Sequence, residues 1–269
     1  KDYIKQPEKE LSKYRIPFLL GINEKGKNII ADLGKLNHIL IAGETDFGKS
    51  TFVNCLIQSL QYYNDDILYF LVDFKIVELK VYSKFNNVIF VSEEDFSKYL
   101  RKLNNELNRR KNVIADAELQ NIKQYNRNYP GKKLPYIVLL IDEVADIRLE
   151  SEDNKDMESN EAIITRLLNQ GRAIGIHVII ATQNPSGVQM STQIRKGLTT
   201  KISFKVIGHI GQNQVGIKNT ENLDRGEFKM LGDDGKIKFL KGFFCDREES
   251  WETFNEILEK RREKDVIVF

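Results

Sequence analysis

Six short apolar runs, each about the length of one strand, punctuate this chain and limit its architecture more than any other feature. They are HILIAG (38–43), ILYFLVDF (67–74), NVIFVS (87–92), YIVLLIDEV (136–144), HVIIATQ (177–183) and KISFKV (201–206). Several are apolar without alternation, as strands buried on both faces must be. Helical periodicity falls between and after them, at 49–63, 93–115, 160–174 and 248–263. Together these predict an α/β fold, a mostly parallel sheet flanked by helices. The charges of ELNRRKNVI, inside the second helical segment, read as a solvated face rather than a binding stripe.

Two segments carry an antiparallel signature. PFLLGINEKGKNIIADL is expected to turn at residues 24–26, and GEFKMLGDDGKIKFLKGFF at 232–235, each extending the sheet. RNYPGKK and RLESEDNKDMESN read as surface loops, and there is no internal repeat. A length of 269 residues fits one large domain over 15–269, preceded by a charged lead-in over 1–14. The lead-in begins at Lys1 and has no core periodicity, so something upstream is expected, a membrane anchor being one candidate. The chain itself contains no apolar run approaching the roughly 18 residues of a membrane span.

A formal net charge of +2 does not announce a nucleic-acid binder, so any DNA contact must be local. Cys55 and Cys245 match no metal-ligand spacing and read as reduced, buried thiols.

The first parallel strand runs into GETDFGKS and then a helix, which is the context that turns a G-x-x-x-x-G-K-[ST] match into a phosphate site. Gly43, Glu44, Thr45, Asp46, Phe47 and Gly48 form the cradle, and Lys49, Ser50 and Thr51 open the helix. Backbone N–H groups would face the phosphates of ATP, Lys49 would neutralise β and γ oxygens, and the Ser50 hydroxyl would help hold Mg2+. The fourth run ends in Asp142 and Glu143, where Asp142 would bind the magnesium shell and Glu143 would orient or deprotonate the attacking water. The fifth ends in Thr182 and Gln183, placed to touch the γ-phosphate or that water.

These blocks, with LVDFKIVELKVYSKF, IVLLIDEVADI, GRAIGIHVIIATQNPS and KGFFCDREESWETF, resemble the motor domain of the FtsK/SpoIIIE family, and the resemblance covers nearly the whole chain. Particularly specific are the segment holding Asp73, Lys75 and Glu78, and residues 171–186. The resemblance implies a RecA-like P-loop ATPase that uses ATP and Mg2+ and assembles as a hexameric ring. Such a ring moves double-stranded or single-stranded DNA. Composition and divergence point first to the coupling ATPase of a Gram-positive conjugative element, working with a transfer apparatus at the cytoplasmic face of the membrane. A chromosome translocase, a secretion ATPase moving protein, and a nucleotide-binding assembly part without turnover are the alternatives.

The chain departs from the family pattern at Asp46 and Phe47, where glycine and serine are usual, and near Asn213, where an arginine is usual. Lys201 stands where another arginine is common, which makes it the first candidate for a cation acting on a neighbour's site, with Arg172 and Arg225 in reserve. DNA contacts are expected from SGVQMSTQIRKG, through Gln189, Gln193, Arg195 and Lys196, although an ordinary solvated helix fits that segment equally well. Asp46 is expected to take a left-handed conformation, and Phe47 to point away from the phosphates onto a neighbouring subunit or the ribose side.

Overall fold

A backbone crossing an apolar core has to pair its N–H and C=O groups within the protein, and the apolar runs of this chain pair with one another. The computed structural model describes residues 4–6, 8–144, 158–183, 185, 190–243 and 247–262. The strands are β1 (Pro17–Ile22), β2 (Asn28–Asp32), β3 (Ile39–Ala42), β4 (Ile67–Val72) and β5 (Val88–Val91). They continue with β6 (Tyr136–Ile141), β7 (Ile176–Thr182), β8 (Thr200–Ser203), β9 (Glu227–Leu231) and β10 (Ile237–Lys241). One sheet holds them in the order β2-β1-β10-β9-β8-β3-β7-β6-β4-β5. From β8 to β5 all neighbours are parallel, and from β8 to β2 all are antiparallel.

Each of the six apolar runs is therefore a parallel strand, trimmed at its ends. β6 stops at Ile141, so Asp142 and Glu143 follow the strand instead of closing it. Both antiparallel segments turn where expected, with the Gly26 N–H donating to Asn23 O at 2.9 Å and the Gly235 N–H to Gly232 O at 3.0 Å. Their order is the surprise: the ribbon β9–β10 lies between the parallel strands and the hairpin β1–β2, which joins β10 at the pair Ile22–Lys241.

The helices are α1 (Glu8–Leu11), α2 (Lys49–Tyr63), α3 (Glu93–Asp116), α4 (Ile122–Asn128), α5 (Asn160–Gln170), α6 (Thr192–Gly197), α7 (His209–Val215) and α8 (Arg247–Arg262). Strand side chains alternate between two buried layers. Ile39, Ile41, Tyr69, Leu71 and Leu140 meet Phe52, Leu56 and Leu60 of α2 and Phe254 and Ile257 of α8. Leu40, Phe70, Leu139 and Ile180 meet Leu103 and Leu107 of α3 and Ile163, Ile164 and Leu167 of α5. Cys55 is buried in the first layer; Cys245 lies outside the described residues. No helix among the described residues is long and apolar enough to cross a membrane.

Three local expectations are corrected. The RNYPGKK segment begins inside α4, which Asn121 caps by accepting the Gln124 N–H at 3.0 Å. The helix expected over 160–174 ends at Gln170, and residues Arg172–Ile174 continue as a 3-10 turn that closes at Gly175, φ 81°, where the Ile176 N–H donates to Gly171 O at 2.9 Å. The charged stretch of α3 is not wholly solvated: Arg110 is 1% exposed, pairs with Glu106 at 2.7 Å and donates to Ile174 O at 3.1 Å.

Candidate active site

The carboxyl ends of β3, β6 and β7 open on one edge of the sheet, and the chemistry-bearing residues gather there. The loop after β3 is fitted to its surroundings through its backbone. A Cβ at Gly43 would lie 2.6 Å from that of Phe204, so no larger residue can follow the strand. The Glu44 N–H donates to Lys205 O at 3.0 Å, the Glu44 carboxylate accepts the Ile207 N–H at 2.7 Å, and Phe47 O accepts the Gly226 N–H at 3.0 Å. The chain beyond β8 and the start of β9 thus hold the loop from one side. Asp46 takes φ 68° as its residue type allows, and Gly48 takes φ 104° before Lys49 opens α2. No side chain caps α2 and its first turn has no acidic residue, which leaves its first N–H groups for an external anion.

Phe47 departs from expectation. Its half-buried ring packs on the chain's own core, and Lys205 Nζ lies 4.7 Å from the ring centre. Neither the core contact nor the role of Lys205 was legible from spacing, because both depend on β8 lying beside β3.

Lys49 is 3% exposed, with Nζ 3.3 Å from Asp142 O and 3.5 Å from Asp142 Oδ1. The second distance is that of an ion pair and falls short of a hydrogen bond, so Oδ1 is buried without a hydrogen-bond donor. Burial raises the proton affinity of Asp142, the charges of Glu78 and Asp73 add to the rise, and Lys49 opposes it. The Glu143 carboxylate accepts the Thr182 hydroxyl at 2.8 Å and the Gln183 N–H at 2.7 Å, while the Gln183 side-chain oxygen accepts the Thr45 hydroxyl at 2.9 Å. One chain of contacts therefore runs from the loop through the end of β7 to the carboxylate beyond β6.

These donors suit a hard cation. A buried carboxylate oxygen lacking a hydrogen bond and the Ser50 hydroxyl at the head of α2 are what Mg2+ takes when phosphates and water supply its remaining ligands. No cage of three or more His, Cys, Asp or Glu side chains occurs among the described residues.

The other expected residues lie apart. Lys201, near the amino end of β8, is half-buried against Gly216, and burial and Arg195 lower its proton affinity. Arg172 precedes β7, donating to Lys35 O at 2.7 Å with Asp233 at 3.8 Å. Both stand at the opposite ends of their strands from the loop. Arg225 is exposed and adjoins Gly226, at the loop of its own chain. On α6, Gln193 and Lys196 are exposed while Arg195 turns back onto Thr192 at 3.1 Å; Gln189 lies outside the described residues. Lys196 and Arg172 line one cleft of about 740 Å3 with Arg15 and Lys123, a cationic concentration that no single motif announced.

Comparison with known proteins agrees with this fold. The FtsK/SpoIIIE family model matches residues 1–187. The chain is 34% identical over 251 residues to the DNA translocase FtsK of Clostridium acetobutylicum, covering 88% of this chain and 32% of that protein. It is 31% identical over 250 residues to the DNA translocase SftA of Bacillus subtilis, covering 88% and 26%. It thus spans about a third or less of these two curated relatives. Among solved structures, the pCW3 conjugation coupling protein TcpA, in a monomer form with ATPγS, superposes with a TM-score of 0.79 at 25% identity, covering 97% of this chain and 75% of that one. EssC ATPases 2 and 3 of Geobacillus thermodenitrificans give 0.76 at 19% identity, covering 93% and 49%, a likeness of fold.

Proposed function

The chain belongs to the FtsK/SpoIIIE family of P-loop ATPases, and on that premise we propose that it is the motor segment of a DNA translocase, acting in the transfer of a conjugative element. The observation that carries the reading is the convergence of Lys49, Asp142, Glu143 and Gln183 at the mouth of the phosphate loop. Identity to proteins named DNA translocases supports DNA as the substrate. The close superposition on a conjugation coupling protein supports the conjugative role.

In this reading the loop N–H groups and the head of α2 receive the ATP phosphates, and Lys49 shifts from Asp142 onto β and γ oxygens. Ser50 and Asp142 would hold Mg2+, which when bound would supply charge neutralisation at the transferred phosphoryl group. Glu143 takes the proton of the attacking water, and Gln183 and Thr45 relay occupancy from β7 to the loop. Translocation then needs a ring, a hexamer anchored at the cytoplasmic face of the membrane. Lys201, with Arg172 and Arg225 in reserve, would supply the cation that acts on a neighbour's site, and the position of Lys201 and Arg172 at the far ends of their strands from their own loop supports that reading. Residues 15–269 act as one motor domain, with Gln189, Gln193, Arg195 and Lys196 meeting DNA phosphates.

The test is the ATPase rate with double-stranded DNA, single-stranded DNA and no DNA, at several salt concentrations and protein concentrations. Stimulation by DNA that weakens with salt and rises with assembly is the expected result. Turnover indifferent to DNA under all conditions sinks the translocase reading, and turnover raised instead by a peptide substrate favours a secretion ATPase.

A further inference from the structure

The segment DFKIVEL, residues 73–79, lies immediately after β4 and is used by neither the phosphate loop nor the β6 carboxylates. Asp73 is 3% exposed, and its carboxylate accepts four main-chain N–H groups. Ile76 donates to Oδ1 at 3.0 Å, and Val77, Glu78 and Leu79 donate to Oδ2 at 3.0, 2.9 and 3.0 Å. Winding the chain around one carboxylate drives Ile76 to φ 56°, which a β-branched side chain resists, and leaves Ile76 and Val77 54% and 75% exposed. Strain of this kind persists only where the surroundings over-determine it. Four hydrogen bonds to one buried carboxylate do so here.

What the turn positions is Glu78. Its side chain lines a cleft of about 360 Å3 together with Ser50, Thr51 and Asn54 from the first turns of α2, with Tyr82 and Trp251 on the wall. Asp142 follows the neighbouring strand β6, and its N–H donates to Val72 O at 3.1 Å, one residue before Asp73. Asp142 Oδ1 is buried, with Lys49 Nζ at 3.5 Å as its ion-pair partner and no hydrogen-bond donor of its own, which leaves it free to take a further ligand on the side of Ser50.

We propose that Glu78 is a further residue of the divalent-cation site, accepting hydrogen bonds from water on Mg2+ held by Ser50 and Asp142, and that Asp73 is the positioning residue that presents it. The inference rests on the ATP reading above. Mg2+ gives up its water reluctantly, so a carboxylate one water away from the ion is a natural partner. The same carboxylate is a like charge to metal-free polyphosphate. Glu78 must therefore strengthen binding of Mg-ATP and weaken binding of ATP alone.

The experiment is equilibrium titration of the full chain with a fluorescent ATP analogue, in EDTA and at saturating Mg2+, followed by titration of Mg2+ at fixed nucleotide. Glu78→Gln is expected to weaken the Mg2+-bound state by about tenfold and raise the Mg2+ half-saturation point by a similar factor, while tightening binding in EDTA. Asp73→Asn is expected to shrink the Mg2+-dependent gain in the same way, and the double variant to lose no more of that gain than Glu78→Gln alone. Thermal melting without nucleotide confirms that each variant is folded, and Glu78→Gln, which touches no hydrogen bond of the turn, carries the test if Asp73→Asn fails to fold. Equal shifts of Glu78→Gln in both conditions, or no shift in either, overturn the proposal. A wild-type chain that binds the analogue in neither condition overturns the ATP reading itself.

Discussion

Lys49 Nζ lies 3.3 Å from the main-chain oxygen of Asp142 and 3.5 Å from its Oδ1, so the cation of the phosphate loop and the carboxylate after β6 form one buried pair. Lys49→Ala removes the charge that the polyphosphate needs and also the one influence drawing Asp142 toward ionisation against burial, Glu78 and Asp73. ATP affinity is expected to fall at least about a hundredfold, roughly 2.7 kcal/mol. Calorimetric titration with ATP checks this, and unchanged affinity would remove Lys49 from the site.

Glu143→Gln separates binding from turnover. The carboxylate is fixed by the Thr182 hydroxyl and the Gln183 N–H, and an amide keeps the shape while losing the basicity. Hydrolysis is expected to drop about a hundredfold or more, with ATP affinity within about threefold, roughly 0.6 kcal/mol. Single-turnover hydrolysis alongside calorimetry measures both. Loss of affinity comparable to the loss of turnover would assign Glu143 to nucleotide binding.

The parallel strands, the loop and its acidic partners were legible in the sequence because their causes are local. A strand buried on both faces must be continuously apolar, and Asp46 tolerates the left-handed turn that it occupies at φ 68°. What the sequence concealed depends on distant pairing. The hairpin β1–β2 joins the sheet through β10, more than 200 residues away in the chain, at Ile22–Lys241. Phe47 packs inward where the chain beyond β8 brings Lys205 beside it, and buried Arg110 finds its acceptor in Ile174 O, 64 residues on. The turn at Asp73 could have been suspected from a carboxylate closing a buried strand, but four N–H groups on one side chain cannot be read from spacing.

Acid sensitivity follows from two buried histidines. His38 accepts the Val178 N–H at 2.9 Å, and the His38 and His177 rings lie 6.5 Å apart. Burial is the main cause that holds His38 at about 4 and His177 at about 3. An unfolded chain takes up protons at both positions below about pH 6.5, while the folded chain refuses them until those lower values. Stability is therefore fully present above 6.5 and declines as pH falls, by up to about 1.4 kcal/mol per pH unit for each histidine. Urea unfolding at pH 7 and pH 5 gives the slope. His177→Leu should remove about one histidine's share of it, and an unaltered slope would locate the sensitivity elsewhere.

The two residues that depart from the family pattern in the loop should act on different properties, one on ATP affinity and the other on stability. Asp46 is exposed at φ 68°, a conformation glycine adopts freely, so Asp46→Gly leaves the loop's path intact and removes a like charge from the neighbourhood of the phosphates. ATP binding is expected to tighten by about 1 kcal/mol, the solvent-screened value. Phe47 is different, since its ring lies on the core with Lys205 above it. Phe47→Ser gives up that packing and the cation–π contact, costing about 1–2 kcal/mol of stability for a half-buried ring, and it releases the Lys205 ammonium at the edge of the phosphate loop. Urea unfolding and calorimetry on both variants separate the effects. A tighter site with unchanged stability is expected for Asp46→Gly, and lower stability for Phe47→Ser. Equal or weaker ATP binding in Asp46→Gly would mean that the carboxylate is compensated within the folded loop, and the nearby cation to examine next would be Lys205.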